Sequence, residues 1–312
     1  ELQRFIVFLR PLGLRLTLYL PQKLAMLSAP LLITGDTGTG KDLFAYACHQ
    51  ASPRAGKPYL ALNCASIPED AVESELFGHA PEGKKGFFEQ ANGGSVLLDE
   101  IGEMSPRMQA KLLRFLNDGT FRRVGEDHEV HVDVRVICAT QKNLVELVQK
   151  GVFREDLYYR LNVMPIALPP LRERQEDIAE LAHFLVRKIG QHQGRTLRIS
   201  EGAIRLLMEY SWPGNVRELE NCLERSAVMS ESGLIDRDVI LFTHQDRPAK
   251  ALPASGPAED SWLDNSLDER QRLIAALEKA GWVQAKAARL LGMTPRQVAY
   301  RIQIMDITLP RL

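Results

Sequence analysis

Cysteine is scarce, and no two cysteines stand close together. Cys48, Cys64, Cys138 and Cys222 are the four present in 312 residues, with no C-x-x-C pair. That spacing excludes a disulfide framework and a cysteine-based zinc site, and points to reduced thiols in the cytoplasm. Long apolar runs are missing as well. The apolar stretch Glu1–Arg10 is broken by Arg4 and Arg10, and Pro11, Gly13 and Arg15 follow. Without a span of about 20 apolar residues, a membrane helix and a membrane partner are excluded. No small-residue cleavage site marks a signal peptide, and no initiator Met opens the chain. Residues 1–20 therefore read as an unmatched segment of a fragment whose upstream part is missing. Charge of one sign is also lacking: 39 Lys and Arg against 40 Asp and Glu leave a net charge of -1. A uniformly basic protein is excluded, so any nucleic-acid surface is local. With 25% charged and 45% hydrophobic residues, the composition is that of a soluble globular chain with room for two or three domains.

What is present is organised around Leu31–Asp42. Leu31-Leu32-Ile33-Thr34 reads as a buried strand, and Leu43–Ala47 as a helix. Between them lie Gly35, Asp36, Thr37, Gly38, Thr39, Gly40, Lys41 and Asp42, a G-x-x-x-x-G-K phosphate-binding loop. The glycines let backbone N–H groups curl around an anion, the helix adds the positive end of its dipole, and Lys41 adds a point charge. ATP is the implied cofactor. Asp42 stands where a Ser or Thr commonly binds magnesium. About sixty residues on, Ser95-Val96-Leu97-Leu98 reads as a strand ending in Asp99 and Glu100. Asp99 would hold Mg²⁺ through water, and Glu100 would act as the base that orients the attacking water. Arg154 and Arg160 lie six apart; the pattern alone fits either a salt-bridged surface pair or arginine fingers.

The elements place these motifs in an α/β fold. Residues 21–172 alternate strands (Leu31–Thr34, Tyr59–Asn63, Ser95–Leu98, Val132–Ala139, Val163–Ala167) with helices (Lys41–Ala51, Pro106–Asn117, Leu144–Lys150). Such alternation predicts a parallel sheet covered on both faces. Residues 173–243 show helical spacing in Ile178–Ile189, Glu201–Tyr210 and Val216–Ser230, a small helical domain. Residues 244–262 are rich in Pro, Gly and Ser and read as a linker.

Residues 263–312 form the last unit. Leu267–Ala280 reads as one helix; Gln284–Leu291, a tight turn and Thr294–Met305 have helix-turn-helix spacing, with Thr294 as N-cap and Pro295 at the first helical position. From Asp264 to Leu312 there are eight Lys and Arg against five Asp and Glu, an excess of three. Arg296, Gln297, Tyr300 and Arg301 are the candidates for base and phosphate contacts with promoter or upstream DNA. On pattern alone an ordinary helical hairpin, or a tail that binds protein, fits as well.

Four ordered motifs, Gly35–Asp42, Ala91–Glu100, Phe153–Leu161 and Trp212–Leu219, together resemble the AAA+ core of the sigma-54-dependent bacterial enhancer-binding proteins. The resemblance covers roughly residues 22–312 and implies a Fis-like helix-turn-helix at the end. It also implies that Arg154 and Arg160 are fingers acting on a neighbouring subunit, so that the chain self-associates, from dimer up to a hexameric ring. By the same resemblance Asn63 is the switch that holds the catalytic Glu when idle, and Arg217 is the second sensor. Thr140 falls in the region of the γ-phosphate sensor, with Gln141 where Asn is usual. An acid at Asp42 is common in the family.

One feature of the family pattern is missing. Members that remodel sigma-54 polymerase carry a Gly-Ala-Phe-Thr-Gly-Ala loop soon after Glu75-Leu76-Phe77-Gly78-His79, whereas Ala80-Pro81-Glu82-Gly83-Lys84-Lys85-Gly86 stands here, several residues shorter. The expected partner is therefore RNA polymerase in its sigma-54 or its housekeeping form, with sigma-54 activation in doubt. The alternative is a repressor or activator working with the housekeeping polymerase, in which nucleotide serves assembly only. Within the family, residues about 22–163 resemble the tyrosine-responsive regulators and residues about 164–312 the nitrogen-fixation activators. Such a chain reads as a mosaic, whether a natural recombinant, a chimera or a misassembled gene.

Overall fold

A computed structural model describes residues 29–242 and 269–307, apart from 281, 292, 294 and 306. The segments 1–20 and 244–262 singled out above, and Thr294, lie outside the described residues. The chain divides into two compact units. The first runs to Leu181 and takes in Trp212–Leu219; the second comprises residues 182–211 and 220–312.

In the first unit, strand β1 (Leu31–Thr34) leads through the glycine-rich loop into α1 (Lys41–Gln50). There follow β2 (Tyr59–Asn63), α2 (Glu69–Phe77), α3 (Phe87–Gln90), β3 (Ser95–Asp99) and α4 (Pro106–Asp118). Next come β4 (Thr120–Arg122), β5 (Glu129–His131), β6 (Arg135–Thr140), α5 (Leu144–Gln149), α6 (Glu155–Leu161) and β7 (Pro165–Ala167). Five of these strands form one sheet in the order β2-β3-β6-β1-β7, every pair parallel. The alternation of strand and helix noted in the sequence is thus realised as an α/β sheet.

Both faces of the sheet are covered, which is why its central strands are apolar without interruption. Side chains alternate between the faces with a period of two. Leu32, Val96, Leu98, Val136 and Cys138 face one core, with Met108, Leu112 and Phe115 of α4 and Leu157 and Leu161 of α6. Leu31, Ile33, Leu97, Ile137 and Ala139 face the other, with Phe44, Ala45, Ala47 and Cys48 of α1. Phe77, Phe88, Phe115 and Phe121 cluster at the end of the first core, Phe88 and Phe115 with ring centroids 4.1 Å apart.

Three features are not legible as apolar periodicity. The β4–β5 hairpin pairs Thr120–Arg122 with Glu129–His131, strands too short and too polar to show alternation. Helix α2 carries acids throughout its length. Third, the chain after α2 reverses tightly. His79 and Lys84 exchange both backbone hydrogen bonds (2.9 and 3.0 Å), Ala80 to Gly83 close the turn, and the Ala80 N–H donates to the Val124 carbonyl at 3.0 Å.

The second unit contains the later turns of α7 (Asp177–His192) and α9 (Asn215–Met229), with β8 (Arg198–Ile199), α8 (Glu201–Met208) and β9 (Leu234–Ile235). Leu185, Val186, Ile189, Ala203, Ile204, Leu207, Cys222, Leu223 and Ala227 are buried, the apolar stripe that the helical spacing implies. Ser200 caps α8, its hydroxyl accepting from the Ala203 N–H at 3.1 Å. The parallel pair β8–β9 is two residues long and leaves no sequence signal. At the end of the chain, α10 (Glu269–Lys279), α11 (Gln284–Leu290) and α12 (Pro295–Ile304) bury Leu273, Leu277, Ala287, Ala288, Val298 and Ile302 together. Ala287 is fully buried, as close approach of two helices requires, and Pro295 is the first residue of α12.

None of the four cysteines is in a disulfide, and all four are buried. Burial pushes the Cys48 and Cys64 thiols up to about 12 and Cys138 higher still. Thiolate is the reactive form, so native protein at neutral pH should show no rapid reaction with a disulfide reagent such as DTNB. Denatured protein should release four equivalents; a fast native phase would contradict this packing.

Candidate nucleotide-binding site

The parallel register collects the candidate groups at one end of the sheet. Thr34 at the end of β1 lies beside Thr140 at the end of β6, Leu98 beside Cys138, and Asn63 beside Asp99. The carboxyl ends of adjacent parallel strands are where open α/β sheets bind ligands. The loop Gly35–Gly40 leaves β1, an interior strand, at the same end of the sheet at which β3 ends in Asp99.

The loop has the geometry that an anion cradle needs. Gly38 and Gly40 sit at φ 77° and 95°, in the left-handed region open to glycine. Gly40 occupies the N-cap position of α1, so the first N–H groups of that ten-residue helix lack intrahelical acceptors and carry its positive end. The Lys41 ammonium is folded back into the loop, donating to the carbonyls of Gly35 (2.9 Å) and Asp36 (3.2 Å), and is 7% exposed. The Thr39 hydroxyl donates to the Asp36 carbonyl at 2.9 Å. Asp42 is exposed on the first turn of α1.

Asp99 and Glu100 follow β3. The Asp99 carboxylate accepts from the Glu100 N–H at 3.0 Å. Glu100 is held at φ 53°, ψ 48°, a left-handed conformation costly for a residue with a Cβ, of the kind that clusters at functional sites. Its carboxylate accepts from the backbone N–H of Gln141 at 3.4 Å. The Asn63 side chain accepts from the Ala65 N–H at 2.9 Å and so closes its own turn.

Thr140 and Gln141 follow each other at the end of β6. Thr140 is fully buried, and its hydroxyl accepts from the Lys142 N–H at 3.0 Å. Gln141 is the residue that reaches the site: its side-chain oxygen accepts from the Thr37 hydroxyl, and its backbone meets Glu100.

Two further segments hold the loop, and sequence reasoning singled out only part of them. From the 3-10 turn Leu171–Glu173, Arg172 pairs with Asp36 at 3.1 Å, and just beyond it the buried Arg174 donates to the Thr39 carbonyl at 3.2 Å. Burial lowers the pKa of the Arg174 guanidinium, and Asp177 opposes that. From the turn before α9, Val216 N–H donates to the Gly38 carbonyl at 3.0 Å, and the Asn215 amide donates to the Thr37 carbonyl at 2.9 Å. Arg217 is exposed at the start of α9 and stands over Gly38.

Arg154 is the N-cap of α6 and Arg160 lies in its last turn, and both are engaged within the chain. Arg154 forks onto the Asp156 carboxylate (3.0 and 2.7 Å), which lowers the Asp156 pKa and raises its own. Arg160 donates to the Leu116 carbonyl at the end of α4, at 3.3 and 2.7 Å. Exposed Val152, Tyr159 and Val163 surround this helix. In the last helix Tyr300 and Arg301 are half-buried, and the Arg301 guanidinium lies 2.9 Å from the Met293 sulfur. Arg296 and Gln297 occupy the first turn of α12; their side chains lie outside the described residues.

A five-stranded parallel sheet, a phosphate loop on an interior strand and an acidic pair two strands away define an AAA+ nucleotide-binding fold. Comparison with known proteins agrees. The Sigma-54 interaction domain family matches residues 14–167, the AAA+ ATPase lid domain 172–255, and the Fis family of bacterial regulatory proteins 268–303. The Nif-specific regulatory protein of Klebsiella pneumoniae is 72% identical over 289 residues, 90% of this chain and 55% of that protein. The transcriptional regulatory protein TyrR of Salmonella typhimurium is 62% identical over 285 residues, again 90% and 55%. Among solved structures, NtrX from Brucella abortus in complex with ADP superposes with a TM-score of 0.68 and 33% identity, over 93% of this chain and 67% of that one. The chain belongs to the family of sigma-54-dependent bacterial enhancer-binding proteins. It spans about half the length of the curated relatives it matches. Among the described residues no helix is long and apolar enough to cross a membrane.

A methyl group at Gly38 would collide with the Gly214 carbonyl and be strained by φ as well. Gly38→Ala should therefore cost about 1–3 kcal/mol and lower the thermal midpoint. Gly56→Ala, at a position with open space, should not. Equal midpoints for all three proteins would show that nothing presses on the loop.

Proposed function

We propose that this chain is the ATP-hydrolysing and DNA-binding part of a cytoplasmic transcription regulator, with hydrolysis coupled to self-association. The observation that carries this reading is the convergence of loop, acids and Gln141 at adjoining carboxyl ends of one sheet. The domain division is part of the proposal: ATPase core 21–172, lid 173–243, linker 244–262 and helix-turn-helix 263–312.

The residues present suit ATP and Mg²⁺. Gly35 to Asp42 would wrap the phosphates, with Lys41 exchanging the Gly35 and Asp36 carbonyls for phosphate oxygens. Asp99 would hold the metal ion through water, and Asn63 and Arg217 would report on nucleotide state. Bound Mg²⁺ would neutralise charge building on the phosphates during transfer. Glu100, already fixed in an unusual backbone conformation, would hold and orient the attacking water. Gln141, linked to both Thr37 and Glu100, is better placed than Thr140 to sense the terminal phosphate. Arg154 and Arg160 would leave Asp156 and Leu116 to serve a site on a second copy, from dimer up to hexamer. Arg296, Gln297, Tyr300 and Arg301 would contact upstream or promoter DNA.

A second reading is favoured by one observation. The His79–Lys84 turn closes on itself through two backbone hydrogen bonds at the position where a remodelling loop would emerge. In this reading the regulator works with the housekeeping polymerase, and nucleotide serves assembly.

Hydrolysis separates the two readings. Lys41→Ala should lose nucleotide binding, whereas Arg154→Ala and Arg160→Ala should bind ATP normally and lose hydrolysis by roughly a thousandfold, the typical worth of a finger. Mixing an arginine variant with Glu100→Gln should restore part of the activity if the fingers act between copies; unimpaired hydrolysis by the arginine variants would refute the finger assignment. With sigma-54 polymerase, the chain should give no ATP-dependent promoter melting, and robust melting would overturn the argument from the closed turn.

A further inference from the structure

We propose that Asn215 is a positioning residue for the phosphate-binding loop, one that sets the shape of the cradle before nucleotide arrives. This rests on the nucleotide-binding reading above and adds to it a residue outside the strand ends.

Asn215 is completely buried although its side chain is polar. Both ends of that side chain are used. Its oxygen accepts from the Leu171 N–H at 2.7 Å, and its nitrogen donates to the Thr37 carbonyl at 2.9 Å. It thus bridges the segment after β7 to the middle of the loop, 178 residues away in the chain. The next residue extends the grip, because the Val216 N–H donates to the Gly38 carbonyl.

The backbone is bent to make this possible. Asn215 and Trp212 both sit at positive φ, 53° and 51°. The Asn215 N–H donates to the Trp212 carbonyl at 2.8 Å, and the Gly214 N–H donates to the Glu218 carboxylate at 2.8 Å. Trp212 is fully buried and anchors the turn. A strained, doubly braced turn that ends with an amide between two backbone groups is built to hold something in place.

What it holds is the orientation of two loop peptides. With the carbonyls of Thr37 and Gly38 bound to Asn215 and Val216, the N–H groups of the same two peptide units, on Gly38 and Thr39, are turned to the opposite side. The Thr39 N–H still meets the Asp36 carbonyl, at a long 3.4 Å. A peptide plane is rigid, so fixing its carbonyl fixes its N–H. An anion cradle needs its N–H groups aligned beforehand, and Asn215 supplies that alignment from behind.

The test uses the whole chain and fluorescent ADP, with adenosine as the ligand that lacks phosphates. Asn215→Gly is the primary variant, because glycine accepts φ 53° and keeps the path of the turn. ADP affinity should fall roughly tenfold, the scale of one to two lost buried hydrogen bonds, while adenosine affinity and the far-ultraviolet circular dichroism stay as in the wild type. Asn215→Ser, which retains one short hydrogen-bonding group, should lie between the two, and it decides the matter if the glycine variant loses native structure. A parallel loss for ADP and adenosine, or unchanged ADP affinity, would overturn the role of Asn215. Failure of the wild type itself to bind ADP would instead refute the nucleotide-binding reading.

Discussion

The structure depends on one constraint: a central strand in a parallel sheet must deliver its chain, at its carboxyl end, into a loop that has no strand partner. β1 lies between β6 and β7, so the peptide groups that follow Thr34 emerge into a crevice. They must be satisfied by something other than the sheet. Thr37, Gly38 and Thr39 bond backward through their carbonyls to Asn215, Val216 and Arg174. Lys41 meets the carbonyls of Gly35 and Asp36. Nearly every loop carbonyl is therefore engaged on the protein side, and the helix start of α1 is left facing the crevice.

The same logic explains why the site is assembled from distant parts of the chain. Asn63, Asp99 and Thr140 end three strands that are neighbours in space and far apart in sequence. Their alignment follows from register alone, and register follows from the two apolar cores that clamp the sheet. A slip of one residue would turn Leu97 and Ile137 toward the wrong core and carry Asp99 out of the crevice. Packing and chemistry are thus linked through the period of two along each strand.

Electrostatically the unit is balanced in small groups. Arg172 meets Asp36, Arg154 meets Asp156, and Lys142 meets Glu103 at 2.8 Å. These pairs are partly exposed and contribute little to stability. Their value lies in placement. The Arg154–Asp156 pair holds the Arg154 guanidinium at the start of its own helix. Val152, Tyr159 and Val163, exposed around the same helix, leave apolar surface beside it.

The sequence alone determined the architecture and the core of the site. The apolar run before Gly35, the spacing of Gly40 and Lys41, and Asp99-Glu100 after a buried strand are local signals. Local signals suffice because glycine, lysine and the strand period act on their immediate neighbours. The three-helix end was legible in the same way, from Ala287 and Pro295. The short β8–β9 pair and the β4–β5 hairpin were not, because two or three residues carry no period. Nor were the contacts of Gln141 with Thr37 and Glu100, which the path of the chain after β6 decides. The grip of Asn215 and Arg174 on the loop was decided only by tertiary structure. Those contacts join residues more than a hundred positions apart, and no property of Asn215 by itself says whose carbonyl it will meet.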